Sequence, residues 1–312
     1  MALVIEDLHK RFGSVQALDG ISFAVERGEV FGFLGANGAG KTTTMRIVLG
    51  LMKADSGTVT WDGRPAHEWP RRTWGYMPEE RGLYGKMLVV DQLVHFASLY
   101  GIPRARARAE ALDWLARFRI ADKAKSRLET LSKGNQQKVQ YIATILHGPD
   151  VLLMDEPFVG LDPVNVAMLK AAFLEMRDRG RTLVFSTHQL DQAEELCDSV
   201  AVIDHGRLVT SGTTRDVRRS TGHQVVRVAT VAEDRRWLET LPGVTVTRDG
   251  VDYAEVRVAD GVSPQCVLDA AIANGPVLRF EVADPSLEQV FVERVGALQD
   301  DERTLAAAGV GA

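Results

Sequence analysis

The chain has 312 residues, 45% hydrophobic and 25% charged, with a formal net charge of -5. Such a chain can bury more than one core, and its composition is that of an ordinary globular protein. The acidic balance leaves no basic excess for nucleic acid, no apolar run approaches the roughly eighteen residues that would span a bilayer, and Cys197 and Cys266 are spaced for neither a metal nor a disulfide framework. Met1 to Phe12 mixes apolar residues with Glu6, Asp7, Lys10 and Arg11, so no export signal is expected there and a reducing cytoplasm is.

From residue 2 to about Ser220, strand-like apolar runs alternate with helical patterns, which implies an α/β domain with a mostly parallel sheet covered by helices. Glu29 to Leu34 reads as a buried strand and Gly35 to Gly40 as a glycine-rich turn. Lys41 to Leu51 follows as a helix with Met45, Val48 and Leu51 on its apolar side. Residues 88–147 read as a helical insertion in which Leu112, Leu115 and Phe118 mark one buried face, while Arg104, Arg106, Arg108, Arg117 and Arg119 decorate a solvated one. Strands return at Val151 to Met154, Thr182 to Phe185 and Ser199 to Ile203, and a hairpin through His205 and Gly206 closes the domain.

Thr213 to Thr221, polar and arginine-rich, suggests a linker to a second domain over residues 221–296. There Val225 to Val231 reads as a strand, Asp234 to Leu241 as a helix, and Val244 to Thr247 and Tyr253 to Val258 as strands around an Asp249-Gly250 turn. Val267 to Ala273 reads as a helix, Val277 to Val282 as a strand and Ser286 to Val295 as a closing helix. That order suggests a small α+β, ferredoxin-like domain with its own apolar positions, Val225, Leu238, Val256 and Leu278. The tail, residues 297–312, is expected to be disordered.

Gly35-Ala36-Asn37-Gly38-Ala39-Gly40-Lys41-Thr42 fits a phosphate-binding P-loop, and its strand-to-helix setting is the one the motif needs. The glycines let backbone N–H groups converge on phosphate oxygens at a helix N-terminus, Lys41 adds a full positive charge, and the Thr42 hydroxyl suits magnesium. Thr43 continues this nucleotide-facing run. Val151 to Met154 then delivers two adjacent carboxylates, Asp155 to hold the metal and Glu156 to polarise the water that attacks the γ-phosphate.

A further element, Leu131-Ser132-Lys133-Gly134-Asn135-Gln136-Gln137-Lys138, resembles the LSGGQ signature of the nucleotide-binding subunits of ABC transporters, placed ahead of the magnesium strand as in that family. The resemblance spans about residues 2–220 and implies a head-to-tail pair of subunits. In such a pair Ser132, Gly134 and Gln136 grip ATP bound to the other subunit, although Lys133 and Asn135 depart from the consensus. It also implies adenine stacking by Phe12, γ-phosphate contact by His188 in Ser186-Thr187-His188, and a subunit-crossing loop at Gly160-Leu161-Asp162, where Val159 replaces the usual serine. In Pro78-Glu79-Glu80-Arg81, Glu79 replaces the family's glutamine as a metal ligand. Gly75 to Tyr84 is most similar to sodium and antibiotic exporters, whose C-terminal extension the second domain resembles.

The resemblance thus implies an ATPase that uses ATP and magnesium, transfers phosphoryl groups to water and powers a separate multi-helix permease. It would work as a homodimer or paired with a related subunit, peripheral on the inner face of the cell membrane. Relatives that act on ribosomes or DNA usually carry two ATPase modules or a long coiled coil, and a GTPase would carry Asn-Lys-x-Asp; the sequence has none of these.

Overall fold

The computed structural model describes residues 3–80, 82–232 and 234–296. The expected disordered tail, 297–312, lies outside the described residues, as does Arg81. The chain parts into two compact units between Gly212 and Thr213.

In the first unit, β1 (Leu3–Phe12) and β2 (Val15–Val25) form an antiparallel hairpin, and β3 (Val30–Leu34) leads into α1 (Lys41–Val48). Strand β4 (Ser56–Trp61) and the two-residue β5 (Arg64–Pro65) return beside β1, giving a separate antiparallel sheet of order β2-β1-β4-β5 that the sequence reading did not anticipate. Leu3, Ile5 and Leu8 are buried, Val4 is half-buried and Glu6 and Asp7 are exposed, the one-sided pattern of an antiparallel strand. Helix α1 ends at Val48, before a left-handed Gly50, so Met45 and Val48 are buried but Leu51 is exposed.

After β6 (Trp74–Met77) comes the insertion, with α2 (Val89–Leu99), α3 (Arg104–Arg117) and α4 (Lys133–Ile145). It is not helical throughout: short 3-10 turns at Ala121–Lys123 and Leu128–Thr130 separate α3 from α4. The buried stripe of α3 is Ala107, Ala111, Trp114 and Leu115, continued by Phe118, so Leu112 lies off it and is exposed. The expected arginines are exposed.

Strand β7 (Val151–Asp155), α5 (Pro163–Asp178), β8 (Thr182–Thr187), α6 (Leu190–Leu196), β9 (Ser199–Asp204) and β10 (Arg207–Thr213) complete a six-stranded sheet of order β10-β9-β3-β8-β7-β6. β6, β7, β8, β3 and β9 run parallel, and every residue of β3, β7 and β8 is buried, as expected of strands covered on both faces. The carboxyl ends of β3, β7 and β8 therefore lie side by side.

The second unit starts with a helix rather than a linker. Thr213 caps α7 (Thr214–Arg219), Val217 is buried, and Arg218 donates to the carbonyls of Asp284 and Pro285 at 2.9 and 2.7 Å. These contacts move the boundary from residue 220 to Gly212. Strands β11 (His223–Thr230), β12 (Val244–Asp249), β13 (Ala254–Ala259) and β14 (Val277–Ala283) form one antiparallel sheet of order β12-β13-β11-β14, with α8 (Gln265–Ala273) between β13 and β14. This is the expected split arrangement, except that the first crossover is only a 3-10 turn, Arg236–Thr240, that buries Leu238. Val226, Val228, Val256 and Val258 face Val267 and Ala271 in a core of their own. Val225 is buried on the opposite face, whereas Leu278, on the edge strand, is exposed. A last helical segment covers 287–296.

Candidate functional site

The turn after β3 is glycine-rich for steric reasons. A Cβ on Gly35 would lie 2.3 Å from the carbonyl oxygen of Ile203. Gly40, at φ 109°, would place one 2.6 Å from Leu18 Cδ2 and 2.7 Å from the Ala17 carbonyl oxygen. At these two positions the loop is pressed against β2 and β9 with no room for a side chain, while Gly38 has open space but a φ of 84°. The helical ladder of α1 begins with Thr44 N–H donating to Gly40 O at 3.0 Å, which places the amides of Lys41, Thr42 and Thr43 among the donors a helix start leaves outside its ladder. Ala17, Asn37, Gly38, Gly40, Lys41, Thr42, Thr43, Asp155 and Glu156 line a cavity of about 140 Å³. Lys41 is buried; its Nζ donates to the carbonyls of Gly35 and Ala36 at 2.7 and 3.1 Å and lies 3.5 Å from Glu156 Oε1.

The parallel register places Asp155 beside Ser186. The Ser186 hydroxyl donates to Asp155 Oδ1 and accepts the Glu156 N–H at 3.0 Å, fixing both acids from the neighbouring strand. Glu156 has φ 50°, a left-handed conformation that a non-glycine residue adopts at a cost. His188 Nδ1 lies 3.0 Å from Glu156 Oε1, so this oxygen faces a histidine and a lysine at once. Asp155 Oδ2 and Glu156 Oε2 are buried without a protein partner. Buried carboxylate oxygens left so are costly, and beside the Thr42 hydroxyl they fit a hard divalent cation and its water.

Glu79 stands apart from this pair. It is exposed, two residues beyond the end of β6, and among the described residues no group of three or more His, Cys, Asp or Glu is placed to hold a metal ion by itself. Burial, then the charge of Asp155, pushes the Tyr76 phenol up; Arg46 opposes that rise and Glu79 adds to it.

Ser132 is exposed and caps α4, its hydroxyl accepting the Asn135 N–H at 3.4 Å. Gln136 donates through Nε2 to the carbonyls of Leu128 and Leu131 at 3.1 and 3.0 Å, inside its own loop. Gly134 packs on Asn165 and Leu161, and Asp162 caps α5. Ser132, Gly134 and Gln136 are not among the residues lining the phosphate cavity of their own chain. Nor is Phe12, which ends β1 as a 46% exposed ring with the Lys10 ammonium 5.4 Å from its centroid.

Sequence reading assigned no role to Ser186, nor to two glutamines of α4. Gln137 Nε2 donates to Pro157 O at 3.0 Å and Gln140 Nε2 to Pro78 O at 2.7 Å, tying the helix behind Ser132 to the loop after Glu156 and to the Glu79 loop. The position of Ser186, next to His188 at a strand end, was the only signal for it. Among the described residues no helix is long and apolar enough to cross a membrane, and both cysteines are free.

Residues 18–159 match the family described as ABC transporter, and residues 212–295 the family described as ATP-binding protein DrrA1-3-like, C-terminal domain. The chain is 40% identical over 298 residues to the uncharacterized ABC transporter ATP-binding protein YhaQ of Bacillus subtilis (strain 168), covering 96% of this chain and 100% of that one. It is 33% identical over 321 residues to the daunorubicin/doxorubicin resistance ATP-binding protein DrrA of Streptomyces peucetius, covering 98% and 96%. A solved structure described as the ATP binding subunit of an ABC transporter superposes with a TM-score of 0.66 at 33% identity, over 71% of this chain and 94% of that one.

Proposed function

Because this chain belongs to the ATP-binding subunits of ABC transporters, an ATP-hydrolysing family, we propose that two copies, or one copy and a related subunit, close on ATP to drive a separate multi-helix membrane permease. The amides of residues 35–43 cradle the phosphates, and Lys41 exchanges its contacts with Gly35, Ala36 and Glu156 for the β- and γ-phosphates. Phe12 stacks on adenine. Magnesium, held by Thr42 and Asp155 with Glu79 as an outlying carboxylate, would neutralise charge on the phosphates. Glu156 polarises the attacking water, and His188, on the same carboxylate oxygen, holds it in place and faces the γ-phosphate.

Ser132 and Gly134 approach the γ-phosphate held by the partner subunit, with the N-terminus of α4 behind them. Gln136 braces that loop through Leu128 and Leu131. The subunit would sit on the inner face of the cell membrane through the permease, with no nucleic acid involved. Export is the favoured direction, supported by the similarity to a drug-resistance subunit.

The reading rests on one observation above all: Lys41 and His188 converge on one carboxylate oxygen of Glu156 beside the amide-lined cavity. Its test is phosphate release by the purified chain. Turnover should require magnesium and nearly vanish in Glu156→Gln while ATP still binds; full turnover by that variant would overturn it.

A further inference from the structure

We propose that the edge strand β14 pairs with β14 of a second copy of this chain, antiparallel and two-fold symmetric about Phe280, to join two four-stranded sheets into one. In the order β12-β13-β11-β14 this strand is terminal, so one side of its backbone faces no strand among the described residues. A free edge is a template for another chain, and charges on it usually serve to keep other strands away. The charges here have a different arrangement. The strand reads Val277-Leu278-Arg279-Phe280-Glu281-Val282-Ala283. A copy inverted about Phe280 sets Arg279 against Glu281 of the partner subunit and brings Leu278, the extra residue of an irregularity in the ladder with β11, towards Val282 of the partner subunit. Every directly opposed pair is then of opposite charge or wholly apolar, the two kinds that stabilise a ladder.

The exposed surface of the strand agrees. Leu278 and Val282 are 70% and 43% exposed, and cross-strand pairing would cover both. Arg279 and Glu281 already lie together on one face, ion-paired within the strand, so their charges are in place to re-pair across the two-fold axis. The other free edge lacks this symmetry: inverted about its centre, β12 sets Arg248 against Thr245 and Asp249 against Val244. A strand pair seven residues long is a small interface, below the area of a permanent dimer. Its work would be to keep two subunits close whether or not ATP is bound, raising the effective concentration for closure.

The experiment is sedimentation velocity of the full-length chain without nucleotide, over a concentration series, so that an ATP-held pair does not contribute. The native chain is expected to dimerise reversibly. Arg279→Glu and Glu281→Arg should each raise the dissociation constant about tenfold by setting like charges opposite one another. An equimolar mixture of these two variants, and the double variant carrying both changes, should return to near the native value. Because Glu281 also pairs with Arg227 of its own chain, Leu278→Asp serves as a variant that leaves the ion pairs untouched and should also weaken the dimer. A native chain that stays monomeric throughout, a double variant no better than the single ones, or a dimer indifferent to all three changes would overturn the proposal.

Discussion

At the carboxyl ends of β3, β7 and β8, Lys41, Asp155, Glu156 and Ser186 are buried and bonded to one another, whereas ahead of α4 Ser132 is exposed and Gln136 donates to the Leu128 and Leu131 carbonyls of its own loop. The first region holds its groups in place within one chain and leaves two carboxylate oxygens for a cation and water. The second has its geometry fixed from behind, by Gln137 and Gln140, with Ser132 exposed at the head of α4. On the proposed pairing, a single chain thus carries a phosphate cradle and, at a separate place, a loop whose counterpart belongs to another copy. Substitutions in the first region should act within the chain that carries them; those in the second should act on its partner.

The largest effect is expected from Glu156→Gln, which removes the base but keeps the shape of the side chain. Hydrolysis should fall by ~10²- to 10⁴-fold, with ATP binding retained, as read by phosphate release and nucleotide titration. Lys41→Ala should follow at ~10²- to 10³-fold, with weaker binding as well, because the phosphates lose a buried cation. Native turnover by this variant would remove the loop from the site.

Ser186→Ala sharpens the contrast from the stability side. It leaves Asp155 Oδ1 and the Glu156 N–H without their shared partner, and should lower the unfolding free energy by ~1–3 kcal/mol in denaturant titrations. Equal stability would mean that water replaces the hydroxyl without loss. The smallest effect is expected at Glu79. Glu79→Gln should leave turnover within about tenfold, and removing one negative charge should raise the magnesium concentration for half-maximal activity. An unchanged requirement would place this exposed carboxylate outside the reach of the metal.

What could be read from the sequence follows from how local each feature is. The P-loop, the Asp155-Glu156 pair and the strands that carry them are contiguous, and their steric and electrostatic reasons lie within a few residues; the strand order β12-β13-β11-β14 was likewise foreshadowed by element order. Ser186 was passed over because its role depends on the parallel register that sets it beside Asp155, a relation across 31 positions. Leu112 and Leu278 are hydrophobic yet exposed, because the buried stripe of α3 runs through Trp114 and because β14 is an edge. Thr213 to Thr221 looked like a linker by composition, but Arg218 finds carbonyls 66 and 67 positions away that turn it into part of a helix with a place to dock. Whether Asp234 to Leu241 would complete a helix was decided by packing: one 3-10 turn suffices to bury Leu238.

The division of labour between the two regions is tested most directly by mixing two inactive variants. Lys41→Ala lacks a working cradle but has an intact signature loop. Gly134→Asp keeps the cradle but forces a charged side chain into the packing of the signature loop, where its Cβ would meet Asn165 Nδ2 and Leu161 Cδ2 at 3.2 and 3.4 Å. In a two-fold pair of one of each, one of the two sites combines both intact halves. An equimolar mixture should therefore recover about a quarter of native phosphate release, although neither variant turns over alone. A mixture as inactive as its components, in chains that still fold and associate, would contradict a site shared between two copies.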